Sequence, residues 1–245
     1  MLKRTEGIVL KTNPFGEADL IVTCLSKDYG ILKTFAKSPR KIKSRFGSSL
    51  EPLTHSMISF WGKEDAALPR LVQSDIIYPF HSLRSDFRRF LRVSELVELT
   101  LCFVPERDAS RNAYHLLINT LRTIEVDSDM DLLILYYKLN LLNIAGFSPK
   151  LDNCGRCGKS GDAFYLSHGS VLCERCSDGP EPSFRISKGV ISFSSTLLGW
   201  SPLKLKRIRP AHFLIPELTK ITDAHIKYVV EKNLRTRSFR VFQPL

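Results

Sequence analysis

The chain has 245 residues, 43% of them hydrophobic, and a formal net charge of +11. No run of eighteen apolar residues occurs, so we expect a soluble globular protein with one large domain or two to three small ones. The excess of Lys and Arg lies in residues 1–80 and 186–245. It favours a polyanionic partner, such as nucleic acid or anionic lipid.

The first 80 residues predict five short β-strands. Segments rich in β-branched and aromatic residues alternate with turn signals. The predicted strands are 6–12, 18–25, 31–36, 54–60 and 71–78. Five strands in this length predict a small antiparallel barrel, and the OB-fold is the common five-stranded solution.

The connection between the third and fourth predicted strands is strongly basic. From Lys33 to Arg45 it has six basic residues and no acidic one, and Phe46 adds an aromatic ring. Positive charge next to an aromatic ring is typical of proteins that bind single-stranded nucleic acid. In addition, like charges that no acidic residue balances repel one another unless an anion is bound, which also favours a contact with phosphates. The alternative is a solvated loop. We predict DNA-binding residues at Lys37, Arg40, Lys41, Lys43, Arg45 and Phe46.

From Ser82 onward the apolar residues recur at helical spacing. The first helix has Phe87, Phe90 and Leu91 among its apolar positions, and Ser82 or Ser85 is its expected cap. Further helices are predicted over 110–124, 131–145, 187–198 and 216–234. We expect these helices to form ordinary core. The segment 202–210 and the end of the last helix are again basic, so the tail from Lys204 to Arg240 is the alternative surface on which we expect DNA to bind.

Four of the six cysteines form two C-x-x-C pairs separated by fifteen residues. The candidate ligands are Cys154, Cys157, Cys173 and Cys176. This spacing suits one tetrahedral Zn²⁺ held by four thiolates, which leaves no position for water and makes the metal structural. Two disulfides or a redox pair are the alternatives. The first ten residues lack the features of a signal peptide, so we expect a reducing, cytoplasmic compartment.

Taken together, the sequence resembles the RecO family of bacterial recombination mediators along its whole length. The resemblance rests on residues 17–19, 41–47, 50–52, 145–154 with the three later cysteines, and 237–239. It implies an OB-fold at 1–80, a helical domain at 81–150 and 186–245, and a zinc module at 151–185, in a protein without catalytic turnover. The α+β fold class follows. Family members often have glycines where this chain has Ser38 and Pro39, so we expect a stiffer loop.

The resemblance also implies a function in DNA repair. Members of the family bind single- and double-stranded DNA, anneal complementary strands, and act with RecR, and in some organisms RecF. They place RecA on DNA covered by single-strand-binding protein. Their helical region is associated with the acidic C-terminal tail of that protein, for which Arg122 and Lys138 are candidates here.

Two other functions are weighed against this one. A zinc-containing enzyme that processes nucleic acid is disfavoured by a closed metal site, six scattered histidines and the lack of a phosphate-binding glycine motif. A zinc-ribbon regulator of transcription would not need the helical region of about seventy residues that precedes the cysteines.

Overall fold

The computed structural model describes residues 1–41, 44–62, 68–126, 129–177 and 184–234. The chain forms two compact units, Met1–Ser128 and Asp129–Leu245. The first holds the predicted strands, and the second holds the cysteine pairs. The division into OB-fold, helical domain and zinc module stays a prediction.

The first unit begins with five strands that close into a barrel in the order β1-β2-β3-β5-β4. They are β1 Leu2–Phe15, β2 Asp19–Ser26, β3 Gly30–Ala36, β4 His55–Trp61 and β5 Arg70–Tyr78. All pairs are antiparallel except β3 with β5, which share only the register pairs Phe35 with Arg70 and Ala36 with Leu71. β1 is long enough to pair with both β2 and β4. The predicted five-stranded barrel and the α+β class are confirmed.

Three helices follow in the same unit, α1 His81–Ser85, α2 Phe87–Phe103 and α3 Arg111–Val126. The expected cap at Ser82 or Ser85 is wrong, because Asp86 is in an extended conformation and its carboxylate accepts from the backbone N–H groups of Arg88 and Arg89. The expectation of ordinary core holds for Val93, Leu96 and Val97 of α2 but is wrong at two other apolar positions. Phe87 is 73% exposed and Leu91 is 54% exposed.

A buried polar cluster joins the barrel to α3. The Tyr114 hydroxyl donates to Glu6 Oε2 at 3.0 Å, and His55 Nε2 lies 2.9 Å from the same hydroxyl oxygen. Burial lowers the pKa of His55, and the nearby charge of Glu6 opposes this effect. A neutral His55 therefore donates from Nε2 to Tyr114, and a strand of the barrel is fixed to the helix through hydrogen bonds as well as apolar packing.

The second unit is built on α4 Met130–Ile144, which is buried on almost every side. Three short strands follow, β6 Ala163–Tyr165, β7 Ser170–Leu172 and β8 Phe184–Arg185, and then α5 Lys188–Gly199, α6 Pro202–Leu205 and α7 Leu214–Leu234. Ser187 caps α5 as predicted, with its hydroxyl accepting from the Val190 N–H. Within the part of the chain that the structure describes, none of the helices has the length and apolar character that crossing a bilayer requires.

Candidate metal centre and nucleic-acid interface

The four cysteines of the two C-x-x-C pairs meet at one point in the second unit. Their sulfur atoms all lie within 4.8 Å of one another, and the Sγ atoms of Cys157 and Cys173 are 3.6 Å apart. With Zn–S distances of about 2.3 Å, sulfurs at the corners of a tetrahedron lie about 3.8 Å apart. All six cysteines of the chain are free thiols. The four can therefore hold one metal ion.

Backbone hydrogen bonds shape the two turns that carry these sulfurs. In the first turn the Gly158 N–H donates to the Cys154 carbonyl at 2.8 Å, and in the second the Cys176 N–H donates to the Cys173 carbonyl at 2.9 Å. Gly158 has a φ of +73°, a conformation that L side chains rarely adopt. The Gly155 N–H donates to the Val171 carbonyl, which ties the first turn to β7. The hairpin of β6 and β7 thus brings the second pair to the first.

The electrostatics of the cluster favour a bound cation. Backbone N–H groups, that of Cys173 first, lower the pKa of Cys154 to about 6. Hydrogen bonds with the sulfurs of Cys157 and Cys173 raise the pKa of Cys176 to about 12. Four thiols this close cannot all ionise unless a positive ion neutralises them, and metal binding requires the thiolate form. The donor set of four sulfurs fits Zn²⁺.

The second candidate site is the stretch 37–45, which we name the basic loop. Lys37, Arg40, Lys41 and Arg45 are exposed, and none of the four makes an ion pair with a residue that the structure describes. Lys43 lies outside the described residues. Lys33, at the edge of the predicted cluster, is different because its ammonium group pairs with Glu106. The basic loop therefore presents four cations to solvent.

Asp19 fixes the start of the basic loop, a role that the sequence analysis missed. The Ser38 N–H donates to Asp19 Oδ1 at 2.6 Å, and the Arg40 N–H donates to the Ala18 carbonyl at 3.3 Å. Ser38 has a φ of +56°, so this chain keeps a conformation typical of glycine at a position that a serine occupies. The motif 17–19 was a signal of family resemblance, but it gave no indication of this contact.

The expectation that Phe46 offers its ring to DNA bases is wrong. Phe46 is only 3% exposed and packs in the barrel core with Leu50 and Leu71. The Arg45 guanidinium carbon lies 4.9 Å from the ring centroid. A ring enclosed by apolar side chains cannot stack on a base. Leu50, four residues later, was a signal in the sequence for this apolar pairing.

The two residues suggested for an acidic peptide differ in their surroundings. Arg122 is an exposed residue of α3 in the first unit. Lys138, in the second unit, is 4% exposed, and its ammonium nitrogen lies 2.7 Å from Asp223 Oδ1. Lys138 is therefore committed to an ion pair inside its own unit. In the alternative basic segment, Lys204, Lys206, Arg207 and Arg209 are exposed, while 235–245 lie outside the described residues.

Comparison with known proteins covers both units. A family model described as "Recombination protein O N terminal" matches residues 1–80, and one described as "Recombination protein O C terminal" matches residues 84–238. The DNA repair protein RecO of Thermodesulfovibrio yellowstonii is 43% identical over 235 residues, with 94% of each chain covered. The protein of the same name from Frankia casuarinae is 32% identical over 239 residues, with 95% of each chain covered.

Proposed function

Because the chain belongs to the RecO family of DNA repair proteins, we propose that it is a recombination mediator that binds single- and double-stranded DNA and anneals complementary strands. In this proposal it acts in the bacterial cytoplasm with RecR and, where present, RecF. It helps to load RecA on DNA coated by single-strand-binding protein. The protein has no catalytic turnover of its own, and its work is to hold strands and partners together.

The observation that carries the DNA-binding proposal is the basic loop. Four exposed cations without ion-pair partners among the described residues lie within nine positions of the chain, and Asp19 holds the start of the loop against the barrel. Association of such cations with DNA phosphates is favourable, because it releases condensed counterions from the DNA. Since phosphates carry no sequence information, the expected binding is independent of sequence.

A salt titration with variants tests this proposal. For single strands, the logarithm of affinity should fall with the logarithm of salt by about 0.7 per neutralised phosphate. Replacing Lys41 and Arg45 together by Glu should weaken binding to every sequence alike, reduce that slope by about 1.4, and slow annealing. The matched control reverses Lys11 and Lys227, exposed lysines outside the basic loop, and changes the net charge equally.

The outcomes of the titration separate two surfaces. A normal affinity and slope in the Lys41→Glu, Arg45→Glu variant would remove the basic loop from the DNA interface. The same reversal at Lys204 and Arg207 would then show whether the alternative basic segment binds the strand. Turnover of labelled DNA or nucleotide by the wild type would contradict the assignment of a non-enzymatic function.

We assign the four cysteines to one structural Zn²⁺. When bound, the ion supplies a closed four-thiolate crosslink between the two C-x-x-C turns and no Lewis acid chemistry, since no coordination position is left for water. For the acidic tail of single-strand-binding protein, Arg122 remains a candidate and Lys138 is a poor one. Calorimetry with the tail peptide at low salt tests this contact, and wild-type heats of binding in Arg122→Ala would exclude Arg122.

A further inference from the structure

Three aromatic side chains lie on the outer wall of the barrel. Trp61 of β4 is 61% exposed, Phe15 of β1 is 52% exposed, and Phe35 of β3 is half-buried. The next positions along two of these strands, Phe60 and Ala36, are buried in the barrel core. Since successive side chains of a strand point to opposite faces, Trp61 and Phe35 point away from that core.

The strand register places these rings in one row. Phe35 of β3 is paired with Arg70 of β5, and Arg70 is paired with Trp61 of β4. Neighbouring strands lie about 4.8 Å apart, so the backbones at Phe35 and Trp61 are about 10 Å apart, with Arg70 between them. Phe15 extends the row, since its ring meets that of Phe35 edge to face with centroids 5.8 Å apart. We name Phe15, Phe35, Arg70 and Trp61 the aromatic row.

The aromatic row is continuous with the basic loop. Phe35 lies two residues before the start of that loop, and Phe15 is the register partner of Asp19, whose carboxylate accepts from the Ser38 N–H. Arg70 is exposed, like the four cations of the loop, and makes no ion pair with a residue that the structure describes. This side of the barrel therefore presents aromatic rings and positive charge together. Contiguous exposed apolar surface marks an interaction site, whereas single exposed rings are ordinary.

A single strand of DNA matches both parts of this surface. Its phosphates are attracted to the cations, and its unpaired bases have flat faces that stack on aromatic side chains. In a duplex the bases are stacked on one another, so their faces are closed to a ring on a protein surface unless a base leaves the stack. An apolar protein partner would use the rings, but it would have to bury the charge of Arg70 between them, which is costly.

We propose that the aromatic row binds the bases of single-stranded DNA while the basic loop binds its phosphates, and that the row makes the protein prefer single strands to duplexes. The inference rests on the proposed DNA binding and adds to it a contact with bases and a choice between two forms of DNA. The stacking role expected of Phe46, whose ring is enclosed in the core, falls to Phe15, Phe35 and Trp61. Stacking tolerates every base, so binding stays independent of sequence.

The first test observes Trp61 in the full chain. In a Trp200→Phe background Trp61 is the only tryptophan. Saturation with a short oligothymidylate should quench its fluorescence, because a stacked base contacts the indole ring. An abasic oligonucleotide of the same length offers the same phosphates, and at saturation it should leave the emission unchanged. Emission that does not respond to oligothymidylate, or that responds equally to the abasic strand, would overturn the proposal.

The second test compares binding of a single strand with binding of a duplex of the same length. Phe15→Leu and Trp61→Leu each remove a ring and keep an apolar side chain at an exposed position. Each should weaken binding of the single strand about tenfold, with an unchanged salt slope, and leave binding of the duplex as in the wild type. The Lys41→Glu, Arg45→Glu variant should weaken binding of both. Phe87→Leu, which removes a ring that is 73% exposed outside the barrel, is the control and should bind both as the wild type does.

The outcomes separate this inference from the proposed function. Normal single-strand affinity in Phe15→Leu and Trp61→Leu, together with weak binding by the Lys41→Glu, Arg45→Glu variant, would exclude the aromatic row and leave the phosphate contact standing. Equal losses for single strand and duplex in the ring variants would also contradict the proposal. If the wild type bound neither form of DNA, the DNA-binding function would fail as well. Urea unfolding that matches the wild type would show that a loss of affinity in these variants is not a loss of folding.

Discussion

At the scale of single residues, Phe46 shows how far an aromatic side chain can be interpreted from sequence. A ring among lysines and arginines fits base stacking as well as it fits a core position, and only tertiary packing separates the two. In the structure Phe46 occupies a core position, since its ring is 3% exposed and packs with Leu50 and Leu71. Phe46 therefore anchors the end of the basic loop in the barrel.

Phe46→Ala should lower the free energy of unfolding by about 3–5 kcal/mol, because it leaves a cavity in a packed core. Urea unfolding measures this change. Phe87→Ala, which truncates a ring that is 73% exposed, is the control and should stay within about 0.5 kcal/mol of wild type. If Phe46→Ala instead lost DNA affinity at unchanged stability, the ring would belong to the DNA interface after all.

The cysteines were predictable from sequence because the chemistry of the ion imposes the spacing of its ligands. Cys154→Ser should abolish stoichiometric zinc, measured by elemental analysis of protein purified without chelator. Because the site forms only in the folded chain, metal binding contributes to folding, by about 10 kcal/mol in zinc peptides. Amide exchange should therefore rise in β6 and β7 of the variant while the barrel strands keep their protection.

The control for this experiment is Cys102→Ser, which changes a half-buried thiol outside the cluster. It should retain one zinc per chain. Wild-type protein that contains no zinc, or Cys154→Ser protein that retains a full equivalent, would contradict the assignment of this ion to the four cysteines.

At the scale of secondary structure elements, local patterns predicted most of the strands and helices within a few residues. The period of two and the turn signals are local properties of the sequence. The start of α2 was missed because Asp86 and the serines before it are all good caps, and both serines lie inside the short α1. A cavity of the second unit, which α7 lines together with residues 146–148, 150, 155 and 166–170, was not predictable, since it depends on tertiary packing between stretches that are separated in sequence.

The basic loop depends on an acidic residue in a neighbouring element. Asp19→Ala removes the acceptor of the Ser38 N–H and should lower stability by about 1 kcal/mol, measured by urea unfolding. DNA affinity should fall as the loop loses its position. Asp19→Asn is the matched control, because it removes the same charge but keeps an oxygen that accepts. Equal stability and affinity in the two variants would mean that this hydrogen bond does not position the loop.

At the scale of the whole molecule, each unit carries one buried histidine and one tryptophan. Burial lowers the pKa of both His55 and His225, so in the folded protein neither ring takes up a proton at pH values near 6.5, the usual pKa of histidine. The unfolded chain does take up that proton. Stability should therefore be fully present above pH 6.5 and fall below it, by at most about 1.4 kcal/mol per pH unit for each histidine.

The tryptophans allow the two contributions to be measured separately. Trp61 belongs to β4 in the first unit, and Trp200 caps α5 in the second. In a Trp200→Phe background, fluorescence-detected urea unfolding should show this acid dependence for the barrel unit, and His55→Gln should flatten it. His115→Gln, at an exposed position, should leave the dependence intact. An unchanged pH profile in His55→Gln would place the titrating group elsewhere.

The closed barrel also has a consequence for aggregation. Closure gives each strand of the barrel a neighbour on both sides, although β3 and β5 meet over only two register pairs, and in the second unit β6, β7 and β8 have only two or three residues each. In the barrel this protection depends on one short seam, the two register pairs between β3 and β5. A substitution that opened that seam would uncover two unpaired edges at once and turn a local defect into a template for self-association.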